Sequence, residues 1–212
     1  MEEMKNEIPI NEDEYASKEH YRWVVDKADS KRYDFDLTGD SVVFDVGGFD
    51  GAWAAKVLKM HNCNIHIFEP VRFFFHKILK KLHAEDKVKI HNYGLSDVDR
   101  EESIFMNGDA TSLHVNNEDA LQVKLVSFNK FIEENDIKNI DLLKLNIEGE
   151  EYRLLKSIIE AGNHKIIQNI LVQFHDYLPY YESLREALHN ELKLTHRLKF
   201  EYKFIWECWE KI

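Results

Sequence analysis

Cysteine is almost missing: Cys63 and Cys208 are the only two among 212 residues. Their number and spacing exclude a disulfide framework and a cysteine-based metal centre, so a reducing cytoplasm is the expected compartment and no metal site is expected. Proline is scarcer still for its usual frequency, with three, and glycine numbers eight, so no Pro/Gly-rich linker divides the chain. No stretch approaches the roughly 18 apolar residues that a membrane span needs. The opening MEEMKNEIPINEDE is acidic, lacks an apolar core and does not read as a secretory signal. Positive charge is also in deficit. Lys and Arg total 28 against 39 Asp and Glu, a net charge of -11, which predicts no nucleic-acid partner, because binding to a phosphate backbone rests on basic surface.

What remains is the composition of a globular chain, 44% hydrophobic and 32% charged. Residues 1–40 read as an acidic lead-in followed by a helix over 15–30, with Tyr21, Trp23, Val24, Val25 and Ala28 on its apolar side. Residues 41–212 read as one compact domain. Strands are expected at 42–46, 65–68, 88–93, 141–147 and 169–174, and helices at 51–61, 71–83, 149–161 and 181–192. That alternation predicts a doubly wound, mostly parallel α/β sheet with helices on both faces. Residues 98–126 break the rhythm and suggest extra strands. Phe200, Tyr202, Phe204, Trp206 and Cys208 alternate like a strand at the tail; Trp206 and Trp209 are expected to pack core and edge.

Three of the eight glycines crowd into VVFDVGGFDG, at Gly47, Gly48 and Gly51. In an open α/β sheet a ligand sits beyond the carboxyl ends of the strands, and the first strand-to-helix turn marks the place. A bare tight turn would explain the glycines as well. The dinucleotide pattern G-x-G-x-x-G would need glycine where Val46 stands. Instead Asp45 interrupts the apolar strand, and a buried carboxylate needs a cationic partner, which a ligand ammonium would supply. Glu69 ends the second strand about 20 residues beyond the glycines, where a carboxylate can accept both hydroxyls of a ribose. A ribose joined to a positively charged amino acid describes S-adenosylmethionine better than NAD or ATP.

Four segments, VVFDVGGFDG, IFEP, YGLSD and IDLLKLNIEGEEYRLLK, together resemble the FkbM family of class I S-adenosylmethionine-dependent methyltransferases. The resemblance implies a Rossmann-like domain that O-methylates a small-molecule or glycan acceptor, with a sugar hydroxyl of a surface glycan or natural product as the expected target. It places Asp45, Gly47, Gly48 and Gly51 under the methionine part of the cofactor, Glu69 at the ribose, and Ser96 and Asp97 near the adenine edge. Asn146 stands where the family usually has aspartate. Asn keeps the hydrogen-bonding shape without the charge, which leaves a cofactor contact open and weakens any role as base. Glu148 matches the family and is a candidate either for chemistry or for stabilising the next helix. His175, in FHDY, is expected to be the general base, neutral near its ordinary pKa. His196 and His114 are weaker candidates. Two alternatives stand beside this reading: a non-catalytic binding module, favoured by Asn146, and an NAD-dependent oxidoreductase.

Overall fold

The computed structural model describes residues 17–107, 110–112 and 120–212. The acidic lead-in, His114 and part of the ATSL stretch lie outside the described residues.

Helix α1, Lys18–Val25, starts at Ser17, whose hydroxyl accepts from the His20 N–H at 3.1 Å, an N-cap that satisfies one of the helix's orphan donors. It ends earlier than expected, and a short 3-10 turn, Ala28–Arg32, follows. Trp23 and Ala28 are buried, whereas Val24 and Val25 are exposed, so the expected apolar side is narrower in fact.

The alternation then unfolds as β1 (Val42–Val46), α2 (Ala52–His61), β2 (Asn64–Phe68), α3 (Arg72–Leu82) and β3 (Val88–His91). Later in the chain come α4 (Phe128–Glu134), β8 (Leu142–Leu145), α5 (Glu151–Glu160), β9 (Asn169–Val172), α6 (Tyr181–Leu192), β10 (His196–Tyr202) and β11 (Trp206–Lys211). They form one seven-stranded sheet in the order β10-β11-β9-β8-β1-β2-β3. The five strands from β9 to β3 are parallel, and β11 and β10 join antiparallel. The expected strand-like tail is therefore a hairpin: Tyr202 faces Trp206, and Phe204, with φ +61°, makes the turn.

Apolar residues cover both faces of the sheet. Phe44, Val46, Leu143 and Leu145 pack with α4, α5 and α6, while Val43, Ile65 and Leu142 pack with α1, α2 and α3. Successive residues on a strand point to opposite faces, so Asp45 shares the face of Val43. The extra strands expected in 98–126 are present as β5 (Arg100–Asn107), β6 (Ala110–Ser112) and β7 (Ala120–Ser127), and with an unexpected β4 (Gly94–Ser96) they make a second sheet ordered β4-β7-β5-β6. Among the described residues no helix is long and apolar enough to cross a membrane.

Candidate active site

From β1 the chain winds outward through β2 and β3 in one direction, and it returns through β8 and β9 in the other. The carboxyl ends of β1 and β8 therefore flank the point where strand order reverses, and ligands of open α/β sheets bind there. A cavity of about 470 Å³ occupies this place, lined by residues 47–50 after β1, by Glu69 after β2 and by Asn146, Ile147 and Glu148 after β8. Ile104, Val123 and Leu125 of the second sheet close its apolar end, and Arg32, Tyr33, Trp53 and Trp206 stand at another wall. Trp206, expected as packing alone, is thus also a cavity residue.

The glycines serve the protein's own packing. Gly47 has φ +85°, and a Cβ there would lie 2.0 Å from the Asn146 carbonyl oxygen. A Cβ on Gly48 would meet Ile67 at 2.3 Å. Gly51 caps α2. Gly47 thus lets the ends of β1 and β8 come together, Gly48 packs against β2, and the turn forms one side of the cavity.

Glu69 organises the neighbouring turns. Its Oε2 accepts from the Phe49 N–H and its Oε1 from the Val71 N–H, both at 2.8 Å. Burial outweighs those two bonds and pushes its carboxyl up to about 7. Each oxygen of the carboxylate keeps one further lone pair beyond its backbone bond.

Asp45 finds one cationic partner within the protein, while its Oδ2 is buried with no hydrogen-bond partner among the described residues. Lys144 Nζ donates to Asp45 Oδ1 at 2.8 Å and to the Gly47 carbonyl at 2.6 Å. Asp45 and Lys144 face each other in register on β1 and β8, both buried. Burial raises the Asp45 pKa, against the charge and hydrogen bond of Lys144. Lys144 lines the cavity and Asp45 stands behind it.

Ser96 and Asp97 are held away from the cavity lining. Both bond to Arg100 Nη1 at 2.7 Å, and Ser96 also contacts Glu150 Oε1. Glu150, not anticipated from the sequence, is buried, lines the cavity and takes Arg100 Nη2 at 2.6 Å. Asn146 Oδ1 is buried at the cavity wall with no hydrogen-bond partner among the described residues. His196 bonds the Ile167 carbonyl at 3.0 Å just before the amino end of β9, a packing role.

His175 is not on the cavity wall. Its backbone N–H and Nδ1 both meet Glu151 Oε1, at 2.7 and 2.9 Å, and its Nε2 lies 3.5 Å from Glu148 Oε2. Burial opposes a charge on the ring, yet the bond to Glu151 and the charges of Glu151, Glu148 and Asp176 prevail and raise its pKa above the ordinary value. The expected unperturbed imidazole is thus corrected: three carboxylates favour imidazolium. Glu148, with φ +54°, does line the cavity and accepts from the Tyr177 hydroxyl at 3.2 Å.

The profile of the FkbM methyltransferase domain matches residues 45–202. The chain belongs to the FkbM methyltransferase family. No curated protein matches the sequence. Among solved structures, a candidate rRNA methylase from Clostridium thermocellum is similar, with a TM-score of 0.52 and 13% identity over 89% of this chain and 95% of that one. A candidate tRNA (m1A22) methyltransferase from Streptococcus pneumoniae, solved with S-adenosyl-L-methionine, has a TM-score of 0.50 and 14% identity over 87% and 72%. The protein is a methyltransferase of Rossmann-like fold whose cofactor is S-adenosylmethionine, and the NAD-dependent alternative falls.

The same neighbours overturn the exclusion of nucleic acid drawn from net charge, since structures of this fold are described as rRNA and tRNA methylating. The physical reason is that a sum over the chain does not fix the charge of any one face: α3 carries Arg72, Lys77, Lys80 and Lys81 and no acidic residue.

The residues present fit the cofactor. The cavity holds a buried carboxylate suited to a ribose at Glu69, an unpartnered buried acceptor at Asn146 and an apolar end suited to a purine.

Proposed function

We propose that this methyltransferase transfers the methyl group to an oxygen, with a sugar hydroxyl of a glycan or glycosylated small molecule as acceptor, in a reducing cytoplasm. Two buried free thiols support that compartment. The sugar rests on the family; the oxygen rests on geometry. S-adenosylmethionine, when bound, supplies an activated methyl group.

The observation that carries the reading is Glu148, which follows β8 and lines the cavity with the His175 ring 3.5 Å from it, whereas Glu150 beside it is bound to Arg100. An alcohol must lose its proton as the new bond forms, and a positioned carboxylate can take it. His175 acts as a positioning residue, its ring fixed by Glu151. A base at the cavity wall also favours an enzyme over a non-catalytic binding module. Asn146, without charge, suits hydrogen bonding to cofactor or acceptor.

The test is turnover of labelled S-adenosylmethionine with a panel of glycans, sugar alcohols, amines and RNA, and mapping of the methylated atom by mass spectrometry. Methyl ether formation on a sugar supports the reading. Methylation of nitrogen alone, or binding without turnover on any acceptor, rejects it.

A further inference from the structure

Two of the cavity's lining residues carry positive charge, Arg32 and Lys144. Lys144 Nζ lies 5.8 Å from the Trp53 ring, and the Trp53 indole N–H donates to the Arg32 carbonyl at 3.2 Å. The Arg32 guanidinium stacks over Trp206 at 5.3 Å. Val71, Ile104, Val123 and Leu125, which pack into one apolar cluster with Phe74, also line the cavity.

Neither cation is spent. Arg32 gives Nε and Nη2 to Asp29 Oδ1, and its Nη1 has no partner among the described residues. Lys144 has three donors; one goes to Asp45 and one to the Gly47 carbonyl. Asp45 fixes the ammonium, and the rigid strand pair beneath removes most of the rotamer freedom that a surface lysine would lose on binding. Such a pair of cations, one forked and one point-like, matches a carboxylate held against an aromatic wall.

The cofactor has one carboxylate, at the end opposite its adenine. From these two cations and the apolar cluster of the second sheet we infer that Arg32 and Lys144 together bind the α-carboxylate of S-adenosylmethionine, and that its adenine lies against the second sheet. Asp45 is then a positioning residue for Lys144 through its Oδ1. The N-terminal segment that delivers Arg32 is part of the cofactor site.

The inference rests on the cofactor assignment, and calorimetry separates the two. The ligands are S-adenosylhomocysteine and its decarboxylated form, which keeps nucleoside and ammonium but lacks the carboxylate. The parent should bind S-adenosylhomocysteine more tightly. Arg32→Gln should weaken S-adenosylhomocysteine by roughly 10- to 100-fold, the size of a lost charge-assisted bond, and leave the decarboxylated ligand within a few-fold. The neutral double variant Asp45→Asn/Lys144→Met should do the same without stranding a buried carboxylate. If that variant does not fold, Arg32→Gln decides alone. Equal loss for both ligands, or unchanged binding of S-adenosylhomocysteine, overturns the carboxylate site. A parent that binds neither ligand overturns the cofactor assignment as well.

Discussion

Glu151, fully buried on the first turn of α5, holds His175 through a single carboxylate oxygen that meets both its backbone N–H and its Nδ1, at 2.7 and 2.9 Å. Its other oxygen accepts from the Gly149 N–H at 2.8 Å. One side chain thus ties the loop after β9 to the loop after β8, and it sets the protonation of the imidazole. Glu151→Gln keeps the shape but removes the charge that raises the His175 pKa. An imidazole titration followed by NMR should move to lower pH in that variant. An unchanged titration would show that Glu148 and Asp176 suffice to hold it.

Glu148→Gln should lower kcat by roughly 10²–10⁴-fold, the usual contribution of a general base, with cofactor affinity nearly constant. His175→Ala should lower it less, since the ring stands behind the carboxylate. Steady-state kinetics on the identified acceptor checks the order. A larger loss at His175 would return the proton to the imidazole.

Cofactor binding should depend on pH near neutrality. The Glu69 carboxyl is held up at about 7 by burial. Below that pH it is protonated and accepts fewer hydroxyls, so affinity should rise as pH increases from 6 to 8. Glu69→Gln should bind more weakly and flatten the profile. A parent with pH-independent affinity would separate Glu69 from the ribose.

His66 and His91 stack on β2 and β3, bonded at 3.2 Å, and burial lowers both to about 4. The unfolded chain, with ordinary values near ~6.5, binds more protons between these limits. Stability therefore increases with pH across that window and is lost as pH falls from about 6.5 toward 4. Urea titrations of the parent and of His66→Phe should show a smaller acid loss in the variant. Parallel curves would assign the acid sensitivity elsewhere.

Gly47→Ala should destabilise the fold by about 1–2 kcal/mol from the left-handed backbone alone, with more from the 2.0 Å approach to the Asn146 carbonyl. Chemical denaturation reads the loss. A neutral outcome would mean that the ends of β1 and β8 can separate at little cost.

By itself the sequence determined the α/β alternation. Buried parallel strands such as VVFDV and LLKL must be nearly continuous runs of apolar residues, and helices between them must carry one apolar stripe. It also located the glycine turn and Glu69, because a positive φ and a carboxylate at a strand end are local requirements. The charged interruptions in β1 and β8, Asp45 and Lys144, were both visible as well. That they satisfy each other was not, because strand neighbours are set by sheet order and these two are far apart in the chain. The partner of His175 was hidden for the same reason: Glu151 arrives from the next helix over, while adjacent Asp176 was in plain view. Whether a tail of alternating aromatics is one strand or a hairpin turned on the single backbone angle of Phe204. Tertiary structure decided these points, since a charge buried in a low-dielectric interior takes whichever partner the fold brings within hydrogen-bonding distance.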